Sequence, residues 1–309
     1  MIKRTLYFGN PAYLSLRMGQ MVINLPDAHG MDDRTGENTV PVEDIGVVLL
    51  DHARVTVTQP LLNALLENNC ALITCDASHM PLGMMMNLAG NKTQSERFRN
   101  QLEASLPLKK QLWQQTIKAK IENQAMVLQE THGLRPINML RWAEEVKSGD
   151  STNYEARAAA YYWQNLLPQY PEFRREREGV YPNALLNYGY AILRAIVARA
   201  LVSSGMLPTF GIHHHNRYNH YCLADDIMEP YRPYVDRVVL SMLKLPPPAE
   251  ALTKETKIAL LSIPTLDVTI DDQRRPLMIA VSQTTASLAR CYEGSQRKLI
   301  YPSMIKPDS

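Results

Sequence analysis

The chain has 309 residues, of which 45% are hydrophobic, and its formal net charge is +2. This length suffices for one large domain or two ordinary ones, each with its own core. The small net charge excludes a globally basic nucleic-acid-binding protein, so any contact with polyanions has to come from local patches.

The sequence favours a cytoplasmic protein with reduced thiols. Its four cysteines form no CxxC pair and no regular framework. The N-terminal MIKRTLYFGN enters a strand-like pattern without an apolar signal region. The run closest to a membrane span, AILRAIVARALV, is interrupted by Arg194 and Arg199 and falls short of ~18 apolar residues. We therefore expect no membrane segment.

The first ninety residues have the pattern of a small β-sandwich. Alternating and β-branched residues between turn residues predict strands at close spacing, in TLYFGN, YLSLRMGQMVINL, TVPVEDIGVVLLD and ARVTVTQ. Residues 27–38 read as a hairpin or mobile loop. A helix is predicted in PLLNALLENN and a buried strand in CALITCDA.

Helical spacing replaces this pattern after residue 90. Apolar residues recur at helical intervals in residues 91–130, in INMLRWAEEVKS, in NYEARAAAYYWQNLL, in NALLNYGYAILRAIVARALVSSG, after Leu223, and in PLMIAVSQTTASLARCYEG, which Gly294 ends. The predicted fold class is α+β. A small N-terminal β-sandwich domain, residues 1–88, precedes a larger all-α catalytic domain, residues 89–309.

The segment GIHHHNRYNHYCLADDIMEPYRP collects four of the eight histidines and three acids. On a helix, Asp226 and Glu229 share a face, and Pro230 predicts a kink just past Glu229. A solvated acidic face is one interpretation; the apolar neighbours of these acids favour burial instead. Imidazole with carboxylates suits Mg²⁺, Mn²⁺, Fe²⁺ or Zn²⁺, and spacing alone does not choose among them.

A second acidic segment, DSTNYEARAAAYYW, opens a predicted helix. Thr152 and Glu155 have the spacing of a capping box, in which each side chain binds a free backbone N–H. From the pattern alone we favour this cap over a catalytic role for Glu155.

These segments together resemble the CRISPR-associated spacer-acquisition integrase family in its type II-like form. The resemblance rests on GIHHHNRYNHYCLADDIMEPYRPYVD, NYEARAAAYYW and NALLNYGYAILRA, and the two-part layout agrees with it. It implies that Glu155, His214 and Glu229 are the catalytic residues and metal ligands. Asp226 and His213 are then candidates for residues that contact the ligands and orient them without binding the metal.

The resemblance also implies an activity. The family serves CRISPR antiviral defence as a metal-dependent DNA integrase and endonuclease, joining protospacer 3′-OH ends to the CRISPR repeat by transesterification. Hard oxygen ligands favour Mg²⁺ or Mn²⁺ as the cofactor. The expected partners are double-stranded protospacer and repeat DNA, a second copy that dimerises through the N-terminal domain, and a small CRISPR-associated adaptation protein in a larger complex. Type II effector and accessory proteins are further candidates.

DNA contacts are expected in the loop FRREREGVYPN, beside the Glu155 helix. Arg174, Arg175 and Arg177 would bind phosphates and position DNA without reading its sequence. The alternative is a solvated loop with internal Arg–Glu pairs. Lys109, Lys110, Lys118 and Lys120 are expected to be plain surface residues.

Two other functions compete with this one. The first is a catalytically idle DNA-binding scaffold of the same fold. The second is an Fe or Zn enzyme acting on small molecules, whose facial triad would need two histidines and one carboxylate on one open face.

Overall fold

The computed structural model describes residues 3–26, 37–77, 79–87, 91–134, 136–176 and 179–305. Contacts divide the chain into two compact units, Met1–Gly90 and Asn91–Ser309. Most of the expected loop at 27–38 lies outside the described residues; its last two residues begin a strand. Arg177 also lies outside the described residues.

The described residues of the first unit form two mixed sheets and one α-helix. Its elements are β1 (Arg4–Phe8), β2 (Ala12–Arg17), β3 (Gln20–Asn24), β4 (Glu37–Pro41), β5 (Ile45–Leu50), β6 (Val55–Val57), α1 (Gln59–Glu67), β7 (Ala71–Cys75) and β8 (Pro81–Met85). The sheet orders are β1-β5-β7-β8 and β4-β3-β2-β6. Parallel pairs join β1, β5 and β7, and β6 lies parallel to β2.

Side chains from both sheets and α1 share one apolar core in this unit. Leu14 of β2, Ile45 of β5 and Leu61 of α1 are completely buried there. The unbroken apolar run IGVVLL of β5 fits its central position, because a strand that is covered on both faces needs no polar alternation. The mixed α+β class is confirmed, whereas the sandwich arrangement stays a prediction.

The second unit is mainly helical but is not all-α as predicted. Its elements are α2 (Gln94–Leu102), α3 (Leu106–His132), α4 (Ile137–Glu145), α5 (Tyr154–Leu166), α6 (Asn183–Ser203), α7 (Cys222–Met228), α8 (Arg232–Leu240), α9 (Lys254–Leu260), β9 (Asp267–Ile270), β10 (Gln273–Pro276) and α10 (Leu277–Glu293). The antiparallel hairpin β9–β10 corrects the prediction. Its turn residues, Asp271 and Asp272, have φ of 50° and 56°, a conformation that short polar side chains tolerate in tight hairpins.

Local signals explain where the helices break. The Ser105 hydroxyl accepts the N–H of Leu108 at 3.4 Å and caps α3, so the helical pattern of residues 91–130 divides into α2 and α3. The predicted kink past Glu229 is confirmed: a 3-10 turn, Glu229–Tyr231, separates α7 from α8. Pro230 lies in that turn and lacks the N–H that a continuous helix needs.

Helix α3 runs through the second unit and packs against α4, α5 and α8. It also holds the C-terminal segment through two amide side chains. Asn123 donates to the carbonyls of Pro230 and Pro302 at 2.9 and 3.0 Å and accepts the N–H of Met304 at 2.9 Å. Gln115 accepts the N–H of Leu299 at 2.8 Å.

Helix α6 is long and apolar enough to cross a membrane by length and composition alone. In the structure, 78% of its apolar window is buried inside the protein. This burial is typical of the central helix of a folded domain, where apolar residues cover the whole helix surface.

Candidate functional site

The carboxylate of Glu155 points away from the end of its own helix. Asp150, not Thr152, caps α5, because its two carboxylate oxygens accept the N–H groups of Tyr154 and Glu155, both at 2.9 Å. The N-cap residue itself makes no side-chain cap bond. The predicted capping box is therefore wrong, and the Glu155 side chain is available for another partner.

That partner is Lys120 of α3. Its Nζ donates to Glu155 Oε1 at 2.7 Å and lies 2.6 Å from Glu229 Oε2. The ammonium is therefore in close ionic contact with both carboxylates. One ammonium group thus joins two carboxylates that are 74 positions apart in the sequence.

The burial of Lys120 contradicts the expected plain surface position. The residue is 8% exposed. Polar residues four apart gave no sequence signal for burial, yet Thr116, Lys120 and Gln124 are all buried along one face of α3. A lysine in a buried stripe needs carboxylate partners, because an unpaired buried charge is strongly unfavourable.

Glu229 is the more buried of the two glutamates and has a second cation beside it. The guanidinium of Arg232 lies 3.0 Å from Glu229 Oε1 and 5.0 Å from the ring centre of Tyr190. Burial by itself would raise the pKa of Glu229, but Arg232 and Lys120 outweigh it and lower that pKa. Burial would likewise lower the pKa of Lys120, whereas Glu229 and Glu155 raise it. Glu229, Lys120 and Arg232 therefore hold one another in their charged forms.

His214 is oriented by Asp226. Its Nδ1 hydrogen-bonds Asp226, and because this carboxylate accepts from the neighbouring backbone N–H groups as well, we assign the ring hydrogen to Nδ1. The Nε2 lone pair is then left for a different partner, as it is in carboxylate–histidine–metal arrangements. The bond to Asp226 raises the pKa of His214, burial opposes this, and the charges of Asp226, Glu229 and Glu155 add to the increase.

Asp226 also fixes the backbone that precedes His214. Its Oδ2 accepts the N–H groups of Ile212 and His213 at 2.7 and 2.9 Å, and the residue is completely buried. The chain approaches closely at Gly211, where an added Cβ would lie 2.4 Å from the His214 carbonyl and 2.7 Å from Asp226 Oδ2. Only glycine fits this position, so the loop holds His214 in a defined place.

The remaining histidines of the cluster have contacts of their own. His213 stacks on Trp113 of α3, with ring centres 4.2 Å apart and planes 3° apart, and the same indole meets His214 edge-on at 5.7 Å. His215 bonds the carbonyl of His213 through Nδ1. Trp113 was not foreseen, since its contact with the histidines joins distant parts of the sequence.

Asp225 and Arg175 have mainly structural contacts. Asp225 pairs with Arg194 at 2.6 Å and accepts from Asn219 at 2.7 Å. Arg175 donates to the side-chain oxygens of Asn183 and Asn187 at 2.9 and 2.8 Å. Arg174 is exposed.

The donor set has the chemistry, but not the present arrangement, of a divalent-cation site. Among the residues described here, no three His, Cys, Asp or Glu side chains are arranged to hold a metal ion. Two carboxylates nevertheless converge on one cationic group, with an oriented imidazole interacting electrostatically with both. Two carboxylates and one imidazole match Mg²⁺ or Mn²⁺ chemically, provided that the ammonium of Lys120 gives way.

The histidine cluster does not form the facial triad of the small-molecule hypothesis in the described parts of the chain. His213 stacks on an indole and His215 bonds a backbone carbonyl, so neither joins His214 at a shared carboxylate pair.

Comparisons with known proteins identify similar chains. The family model described as "CRISPR associated protein Cas1" matches residues 6–246. A "CRISPR-associated endonuclease Cas1" of Neisseria meningitidis serogroup C is 38% identical over 286 residues, which cover 92% of this chain and 90% of the relative.

Solved structures show the same fold at lower sequence identity. A casposase bound to integration product superposes with a TM-score of 0.76 at 18% identity, covering 97% of this chain and 92% of that one. A Cas6-RT-Cas1–Cas2 complex gives 0.71 at 20% identity, covering 98% of this chain and 36% of the larger one.

Proposed function

Because the chain belongs to the CRISPR-associated Cas1 family, we propose that it is a metal-dependent DNA integrase and endonuclease of CRISPR adaptation. It joins the 3′-OH ends of short protospacer DNA to the CRISPR repeat by transesterification. The curated relative is named an endonuclease and the casposase is bound to an integration product, and both names support this class of chemistry.

One observation carries the proposal. Glu155 and Glu229 come from different helices and meet at one cationic group inside the second unit. Acidic side chains that are buried together at a shared cation are the arrangement that phosphoryl-transfer enzymes use to hold divalent ions. His214, oriented by Asp226, supplies the third donor.

Each residue of the site has its own role in the proposed reaction. Glu155, His214 and Glu229 would hold Mg²⁺ or Mn²⁺, which when bound lowers the pKa of an attacking hydroxyl and offsets charge on the phosphate. Arg232 lies beside Oε1 of Glu229, and its positive charge keeps that carboxylate ionised. Asp226 keeps the hydrogen of His214 on Nδ1. The attacking group is a DNA 3′-OH, so the reaction needs no protein nucleophile.

The proposed partners follow from the same assignment. Exposed Arg174 would contact DNA phosphates. A solved neighbour contains Cas1 with Cas2, which supports a small adaptation partner for this chain. We also propose a homodimer formed through the first unit, type II effector and accessory proteins as further partners, and a cytoplasmic location.

Joining of a labelled protospacer duplex to a repeat substrate tests the function, with Mn²⁺, with Mg²⁺ and with EDTA. We expect metal-dependent joining by the wild type and losses of at least about 100-fold in Glu155→Gln, Glu229→Gln and His214→Asn, since supporting residues alone cost up to that much. Glu122→Gln, the same chemical change at a glutamate of α3 that pairs with Lys118 rather than Lys120, is the matched control and should join normally.

The same assay separates the competing class. Joining that is retained in all three variants rejects the site. A wild type that binds the duplex but shows no joining with either metal is the idle scaffold. Circular dichroism melting of each variant establishes that the fold is intact.

A further inference from the structure

Lys120 has a position that the proposed reaction does not explain. Its ammonium lies 2.7 Å from Glu155 and 2.6 Å from Glu229, the two carboxylates assigned to the metal. A divalent cation bound by both carboxylates would compete with this ammonium for the same oxygens.

The charges at the Glu155–Glu229 pair itself are already balanced. Two carboxylates, Glu155 and Glu229, face two cations, Lys120 and Arg232. Adding a divalent cation with Lys120 in place would leave an excess of two positive charges in a mostly buried region, where Coulomb repulsion is only weakly screened. Metal binding is therefore unfavourable unless one resident cation withdraws.

The two resident cations are not equally able to withdraw. Arg232 contacts the opposite oxygen of Glu229 and lies over the ring of Tyr190. Lys120 ends in an ammonium on a flexible four-carbon chain, which can swing away while its backbone stays in α3. This ammonium lies against both carboxylates, at the place that a shared divalent cation would take, so it is the resident cation that has to leave.

We propose that Lys120 is a resident counter-ion which holds the Glu155–Glu229 pair in the metal-free protein and is displaced when a divalent cation binds. This rests on the proposed function, since it takes that pair as the metal site. Lys120 is then a positioning residue that sets the metal affinity. It keeps the carboxylates together before metal arrives, and it weakens metal binding by competition.

The first experiment measures Mn²⁺ binding by electron paramagnetic resonance of the free ion, in the wild type and in Lys120→Met. Removing the competing charge should lower the Kd for Mn²⁺ by at least about tenfold. Lys118→Met is the matched control: it lies on the same helix, is half exposed and pairs with Glu122, so its Kd should equal that of the wild type. A Kd in Lys120→Met that is unchanged or higher overturns the proposal.

A second readout uses thermal melting of the same proteins. Metal-free Lys120→Met should melt at a lower temperature than the wild type, because two carboxylates then share a site without their counter-ion. Mn²⁺ should raise the Tm of this variant more than that of the wild type. Equal Tm gains in both proteins contradict competition.

A third measurement needs no variant and stays decisive if Lys120→Met fails to fold. Wild-type protein is treated with a water-soluble amine-acylating reagent with and without Mn²⁺, and each lysine is quantified by peptide mass spectrometry. Displacement predicts that acylation of Lys120 increases with Mn²⁺ while that of Lys118 stays constant. Lys120 acylation that does not respond to Mn²⁺ overturns the proposal.

These outcomes distinguish the inference from the function on which it rests. Wild type and Lys120→Met that bind Mn²⁺ equally well leave the metal site standing and reject the counter-ion role. Absence of Mn²⁺ binding in both proteins rejects the metal site and the counter-ion role together.

Discussion

Asp226 bonds the imidazole of His214 through Nδ1 while it accepts three backbone N–H groups of the segment that carries this histidine. One buried carboxylate therefore sets both the path of the loop and the orientation of the ring. The acid lies three residues before Glu229, so the same short stretch of chain supplies a proposed ligand and the group that orients another.

Asp226→Asn should reduce strand joining by about 10- to 100-fold, the range seen when the partner of a ligating histidine is changed. An amide lacks the charge that keeps the ring hydrogen on Nδ1, so the Mn²⁺ concentration needed for half-maximal joining should rise. Asp225→Asn is the control, because Asp225 pairs with Arg194 rather than with His214. An equal rise in the Mn²⁺ requirement in both variants would contradict the assigned role.

Asp150→Ala should destabilise the protein by about 1 kcal/mol, because the side chain caps α5 through the N–H groups of Tyr154 and Glu155. Thr152→Ala should change the free energy of unfolding by less than about 0.5 kcal/mol, because the cap does not use this hydroxyl. Urea unfolding of both variants measures the difference. A larger loss in Thr152→Ala would restore the capping box.

Arg174 and Arg175 should respond differently to alanine substitution. Arg174 is exposed, so Arg174→Ala should weaken DNA binding and reduce the slope of log K against log salt by about 0.9 for one lost phosphate contact. Arg175→Ala should instead lower the free energy of unfolding by about 1–3 kcal/mol, because it removes bonds to Asn183 and Asn187. Salt titrations of DNA affinity and urea unfolding test the pair; an unchanged salt slope in Arg174→Ala would refute the phosphate contact.

Asp236 should make stability depend on pH. Burial raises its pKa to about 6, although the hydroxyls of Tyr162 and Tyr190 donate to it at 2.8 and 2.5 Å. A carboxyl with a raised pKa contributes stability that is complete below its ordinary pKa and is lost as the pH rises through the folded value. Relative to Asp236→Asn, the wild type should lose up to about 3 kcal/mol between about pH 4 and 7.

Urea unfolding of both proteins across this pH range isolates the effect, because all other titrating groups cancel in the difference. A difference between the two free energies that does not vary with pH would show that Asp236 has an ordinary pKa in the folded protein.

The periodicity of apolar residues in the sequence predicted most of the strands and helices. The change from alternating to helical spacing near residue 90 separates strand-rich from helix-rich parts of the chain, and Pro230 marks the break between α7 and α8. The hairpin β9–β10 escaped prediction because its second strand, QRRP, is polar and exposed. Its one clear signal is the Asp271–Asp272 turn.

The residues of the candidate site were likewise only partly predictable from the sequence. Glu155, His214 and Glu229 could be proposed because their segments resemble family motifs, although the local pattern alone favoured a helix cap for Glu155. Lys120, Trp113 and Asp150 could not, because their roles depend on tertiary contacts or on a spacing outside the familiar cap. A lysine within a long amphipathic helix looks like any surface lysine until two carboxylates from other helices meet it.

The side-chain amide of Asn123 binds the carbonyls of Pro230 and Pro302, and thereby links both residues to α3, the helix that carries Lys120. Shortening the polypeptide to the end of α10 would strip Asn123 and Gln115 of their bonds to Met304 and Leu299. Such a truncation would remove contacts that hold Asn123, which binds the carbonyl of the residue next to Glu229, without changing any charged group of the cation site.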